Sequence, residues 1–225
     1  MNEHIVSWFI IFLSHVPSSF INPLDPSKKK MVQWFSTHAL VNMVISYWTY
    51  NAVYVTIIDP YNSYNVKAYS GSMENSNVPI CLALWLHVYH VLFYRLTRED
   101  VFHHFLFAAF LAGPGYYYEW GVLRNCNLFF ICGLPGGLLY AFLAFQKCGY
   151  LLSIPEQYFS LFMNGAIRCP GCLFSSYLLF LCFLENSYEA NCVAFLIQMV
   201  LTPYNAVYYT VQSIKRATKY TYNTA

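Results

Sequence analysis

Charge is what this chain has least of. Of 225 residues, 12 are Lys or Arg and 10 are Asp or Glu, so charged side chains make up only 10%, where an ordinary soluble domain carries ~25%. So few ions cannot coat one or two soluble domains of this length. Disorder is excluded as well, because 19 Phe, 21 Tyr and 5 Trp would collapse out of water. The net charge is +2 and the basic residues form no long stripe, which argues against a nucleic-acid partner. There is no Asn-x-Ser/Thr glycosylation acceptor. No basic stretch precedes the first apolar run; Lys28, Lys29 and Lys30 follow it, the reverse of a cleavable signal peptide, so a retained helix is expected. No repeat relates the two halves, which gives no support to a transporter, and the last apolar segment lacks the intramembrane lysine of a rhodopsin-like receptor.

The chain is not short of long apolar runs. A spanning helix needs roughly 20 mostly apolar residues, and seven segments approach this: 5–21, 33–58, 79–96, 101–118, 128–145, a stretch within 155–185, and 190–214. The fold class expected is all-α, a polytopic membrane helical bundle of about seven transmembrane helices in one domain, with a short polar tail at 215–225. Only Thr97, Arg98, Glu99 and Asp100 separate the third and fourth segments, which predicts a tight helical hairpin. The stretch 155–185 reads either as one helix kinked at Pro170 or as an interfacial helix followed by a span. With the N-terminus outside, the inner loops hold Lys28, Lys29, Lys30, Arg95, Arg98, Lys147, Lys215, Arg216 and Lys219, and the outer loops only Lys67 and Arg124. That asymmetry is what a seven-span topology demands.

Five of the eight cysteines (Cys81, Cys132, Cys148, Cys182 and Cys192) fall in or beside apolar segments, where cysteine acts as a small hydrophobe. Cys169-Pro170-Gly171-Cys172 has redox-motif spacing but no βαβ context, and one CxxC is too little for a sulfur-ligated zinc site. A helix kink is the expected role. Gly133-Leu134-Pro135-Gly136-Gly137 interrupts the fifth segment and predicts either a helix break lining a cavity or a small-residue packing face.

The histidines carry the functional signal. Of seven, four lie on the third and fourth segments: His87 and His90 at i and i+3, and His103 and His104 just after the hairpin turn. All four are expected to line one pocket near the inner leaflet. Asp100 precedes His103 by three residues and His104 by four, close enough to orient an imidazole. Ionisable groups inside a bilayer are costly and mark functional sites. Asn164 and Arg168, at i and i+4, form a second polar pair, and Gln198 and Asn205 mark polar points in the last segment.

Residues 80–185 resemble the TLC-domain family, which includes ceramide synthases and other lipid-handling membrane proteins. The resemblance rests on Asp100-Val101-Phe102-His103-His104, then Cys132 through Gly137, then Asn164, Arg168 and Pro170 in the family's order. His87 and His90 stand where many members carry two aspartates, and the longer signature of the acyl-transferring members is absent. The resemblance implies a protein that binds or modifies lipid, with membrane lipids and acyl-CoA as partners and an acyl chain held in the bundle. His103 or His104 would then be the catalytic base or nucleophile, with Asp100 orienting it, and His87, His90, Asn164 and Arg168 would contact lipid. No cofactor is implied. The location expected is an intracellular membrane, the endoplasmic reticulum ahead of the mitochondrial inner membrane. Two other classes fit the residues: a non-enzymatic subunit of a larger membrane complex, and a hydrolase or oxidase whose metal is held by the four histidines.

Overall fold

The computed structural model describes residues 2–65, 68–69, 71–118, 120–185 and 191–224, with side chains to 219. Lys67, Ala190 at the expected start of the last segment, and the last residue of the expected tail lie outside the described residues. Among the described residues all regular structure is helical. Helix α1 is Glu3–Ser19, with Asn2 accepting the His4 N–H at its start. Asp25 opens a 3-10 turn at Pro26–Lys28, where the Ser27 hydroxyl and backbone N–H hold its carboxyl below the ordinary carboxylate range. Next come α2 (Lys29–Ile58), the short α3 (Pro60–Ser63) and α4 (Val78–Phe93). The chain then builds three composite helices. In the first, α5 (Arg98–His103) runs through a π-helical stretch, His104–Ala112, into α6 (Gly113–Tyr117). The second joins α7 (Val122–Leu128) through Phe129–Gly133 to α8 (Leu134–Cys148), and the third joins α9 (Ser153–Phe162) through Met163–Arg168 to α10 (Cys169–Leu184). The last helix, α11 (Cys192–Thr224), carries the expected polar tail on as helix.

Four stretches are long and apolar enough to cross a membrane: Met73–Phe93, Val122–Cys148, Ser153–Leu184 and Cys192–Lys219. The region 155–185 is thus one helical course, not an interfacial helix plus a span. The other three expected crossings differ from these four for visible reasons. Helix α1 has 17 residues, and α2, although 30 residues long, is diluted by a buried polar face of Thr37, His38, Asn42, Ser46 and Thr49. The stretch 98–117 begins with the charged turn Arg98, Glu99 and Asp100.

The three π-helical stretches have a common cause. Each ends two residues before a proline (Pro114, Pro135, Pro170), and in each the residue before that proline donates its N–H five residues back. A proline ring clashes with the carbonyl four residues earlier and brings no N–H of its own. Widening the preceding turn by one residue relieves both conflicts without breaking the rod. The Pro170 of Cys169-Pro170-Gly171-Cys172, where a kink is expected, thus follows one of these π-helical stretches, and both cysteines are free thiols.

The bundle has two halves. Helix α2 lies along α8 and also touches α1, α4 and α7, while α11 packs on α9 and α10. The close α2–α8 approach explains the glycines. A Cβ at Gly136 would lie 2.5 Å from Asn42 Nδ2, and one at Gly137 would lie 2.7 Å from Met43 Sδ and 3.3 Å from the Met43 backbone nitrogen. Gly133 faces Ser46 in the same way, at 3.3 Å. The small residues therefore make a packing face of the kind that lets membrane helices approach closely. At the end of the bundle away from Lys28–Lys30, Arg124 Nη2 donates to the Asn75 and Ser76 carbonyls (3.0 and 3.2 Å), pinning the loop before α4 onto α7. At that same end Tyr61 hydrogen-bonds the Glu185 carboxylate, which raises its phenol above the ordinary value.

Candidate functional site

A cavity of about 220 Å³ runs between the two halves of the bundle. Its polar wall includes His38, His87, His103, Asn164, Arg168 and Tyr209; Ile80, Leu111, Leu123 and Leu179 line an apolar part. The hairpin turn places His87 on α4 opposite His103 on α5, with Nε2 to Nε2 at 2.9 Å. His87 Nδ1 lies 2.6 Å from the Ala83 carbonyl oxygen, one turn back on the same helix. His103 Nδ1 lies 2.7 Å from the Tyr209 hydroxyl of α11.

The Ala83 carbonyl sets the direction of every proton in this chain. A carbonyl only accepts, so His87 must donate through Nδ1. With one proton per ring, His87 Nε2 is then the acceptor, and His103 must donate through Nε2. His103 Nδ1 is in turn an acceptor, so Tyr209 donates to it. The result is a relay, Tyr209 to His103 to His87 to Ala83, with one orientation, ending at the cavity.

The other expected pair behaves differently. His90 Nδ1 and His104 Nε2 are 3.0 Å apart, but neither side chain lines the cavity. His90 is stacked on Trp34 with ring centroids 3.8 Å apart and planes at 14°, which fixes α4 against α2. The expectation that all four histidines share one pocket is therefore corrected: His87 and His103 face the cavity, while His90 and His104 stand behind them, with the His104 ring centroid 4.9 Å from that of His87. Asp100 is also elsewhere than expected. Its carboxylate accepts from the Thr97 backbone N–H and hydroxyl, both at 2.8 Å, while Thr97 Oγ1 accepts the Asp100 N–H. This capping box serves the orphan amides at the start of α5 rather than an imidazole.

Asn164 and Arg168 are brought together as expected, and onto the cavity. Asn164 Nδ2 donates to Ser213 Oγ (2.8 Å) and Ser160 Oγ (3.3 Å), which points its carbonyl oxygen at Arg168, where Nη1 donates to it at 2.6 Å. The Arg168 guanidinium carbon stands 5.0 Å from the centre of the Tyr209 ring. Both residues are buried, at 3% and 6% exposure. Among the described residues no three His, Cys, Asp or Glu side chains converge as metal ligands do.

Sequence reasoning missed His38 and Tyr209. His38 lies on α2, where its Nδ1 accepts from Asn42 Nδ2 at 3.1 Å, and its ring faces Tyr140 with centroids 3.7 Å apart. A signal for Tyr209 was present: Gln198, Thr202, Asn205, Tyr209 and Ser213 recur every three or four residues of α11 and form one polar stripe in an apolar helix. Gln198, the first of that stripe, donates to the Leu111 carbonyl in the first π-helical stretch. No protein-family model, no curated protein and no solved structure matches this chain.

Proposed function

We propose that this chain is an integral membrane protein of about seven crossings, resident in an intracellular membrane, that takes a lipid into its internal cavity and transfers an acyl group there, as the TLC-domain resemblance implies. In support of seven crossings, α1, α2 and the stretch 98–117 accompany the four apolar helices, and nine of the 12 basic residues then fall on one side. The observation that carries the chemical reading is the oriented relay from Tyr209 through His103 to His87, which meets the cavity beside a buried arginine. An acceptor hydroxyl or amine in the cavity gives its proton to the Tyr209 oxygen. The Tyr209 proton moves to His103 Nδ1 and the His103 Nε2 proton to His87. The freed acceptor atom bonds to the acyl carbon of a thioester donor such as acyl-CoA. The carbon–sulfur bond breaks, and the stored proton returns to the departing thiolate. General base help of this kind is worth ~10²–10⁴-fold in rate.

The test is amide or ester formation from palmitoyl-CoA and a long-chain amine or alcohol by the purified protein, followed by mass spectrometry. Tyr209→Phe removes the oxygen that takes the acceptor's proton and is expected to slow product formation about 10²–10⁴-fold. Product formation no faster than the uncatalysed background with every acceptor class would sink the acyl-transfer reading.

A further inference from the structure

Arg168 is a buried cation on the cavity wall, and the described residues around it do not balance its charge. Its single hydrogen bond among the described residues leaves through Nη1 to a neutral amide, Asn164. Its Nε is fully buried and has no hydrogen-bond partner among the described residues. No carboxylate of the described residues lies within ion-pair distance of it. Among the described residues it acts on the ionisation of Tyr209, Tyr140, His103, Cys132 and Cys172, none of them an acid of carboxylate strength. Glu156, on the same helical course, is twelve residues away, about 18 Å along the rod, and the cations it faces are Arg216 and Lys147. An arginine held this way retains its charge at every stage of any reaction, and a neutral carbonyl cannot offset that charge in so dry a place.

The guanidinium has two edges. Nη1 is occupied by Asn164, and Asn164 is itself anchored by Ser213 and Ser160, so the side chain has a fixed roll. Nη2 makes no hydrogen bond within the described residues, and Arg168 lines the cavity. Its N–H groups and its positive charge suit an oxygen of a carboxylate or phosphate. The cavity wall also includes Ile80, Leu111, Leu123 and Leu179, which suit an alkyl chain.

We infer that the Arg168 guanidinium is an oxyanion site, and that the ligand of this cavity is an amphiphile with a permanently charged carboxylate or phosphate at its polar end. This rests on the lipid-binding part of the proposed function and narrows its ligand class.

Binding to the full-length protein in detergent, read by competition against a tritiated fatty acid, separates the possibilities. The probes are palmitate, palmitoyl lysophosphatidic acid, hexadecanol and inorganic phosphate. Palmitate or the lysophosphatidic acid is expected to bind about 30-fold or more tighter than hexadecanol, the better of the two identifying carboxylate or phosphate as the natural head. Arg168→Gln is expected to abolish that preference while leaving hexadecanol binding unchanged, which also shows that the variant is folded. Arg168→Lys, which keeps the charge but not the planar guanidinium, is expected to keep only part of the preference. Hexadecanol bound as tightly as palmitate, or a preference that survives Arg168→Gln, overturns the oxyanion site and leaves lipid binding standing. Inorganic phosphate displacing the fatty acid as well as the amphiphiles do overturns the amphiphile. Failure of all four probes to bind overturns both this inference and the lipid-binding reading.

Discussion

His103→Ala is expected to lower acyl transfer about 10³–10⁴-fold, near the upper end of what general acid–base catalysis contributes. His103 is the only member of the relay whose two ring nitrogens both bridge to side chains, His87 on one side and Tyr209 on the other. Its loss breaks the path of the proton and leaves two buried partners unsatisfied, each costing about 1–3 kcal/mol. The alanine variant therefore mixes a chemical loss with a structural one. His103→Gln separates them, since an amide can hydrogen-bond both neighbours but cannot take up and pass on a proton at neutral pH. Both variants should be inactive, with the glutamine protein melting closer to the unmodified one. His104→Ala, which removes the partner of His90 outside the cavity, should leave the rate near that of the unmodified protein. An active His103→Gln protein would remove the relay from the reaction.

A large loss of stability is expected from Gly136→Leu, about 3 kcal/mol or more of destabilisation. The side chain it must push aside is Asn42, which is 1% exposed and tied to His38, so it has no open space to swing into. At the neighbouring glycine the obstruction includes backbone, the Met43 nitrogen, so Gly137→Leu should be at least as damaging. Gly165→Ala is the control: the nearest atom to its Cβ is Thr210 Cγ2 at 4.0 Å, and no loss is expected. Unfolding in detergent, followed by intrinsic fluorescence, ranks the three. If Gly136→Leu and Gly165→Ala melt together, α2 and α8 do not approach as closely as described.

How much of this was legible from residue order alone depends on whether the deciding interaction was local. The membrane class, the hairpin at Thr97 to Asp100 and the i, i+3 placement of His87 and His90 are consequences of composition and spacing, and the helices follow them. Asp100 shows the limit. It stands at the right distance for both histidines and for Thr97, and the competition is settled by the unpaired amides at a helix start, which outbid a more distant imidazole. The Thr97-x-x-Asp100 pattern was readable as a capping box and would have settled it. Which histidines face the cavity was not readable, because it turns on Trp34, which stacks on His90 from more than fifty residues earlier in the chain, and on Tyr209, which bonds His103 from more than one hundred later. Both are aromatic residues in a chain where aromatics are commonplace. What distinguishes Tyr209 is its place in a polar stripe, and the same period marks Glu156, Ser160, Asn164 and Arg168 on the neighbouring course.

The π-helical turns bear on which changes of length the chain can absorb. Each holds one residue more than the α-turn it replaces. Removing a residue elsewhere in a helix swings everything beyond it by about 100° and turns lining residues toward lipid. A residue lost within 129–133 together with Pro135→Ala instead lets that stretch relax to an ordinary helix, with the segments on either side still in phase. Insertions and deletions in relatives of this chain should therefore gather at these three points, each coupled to the gain or loss of the proline that follows.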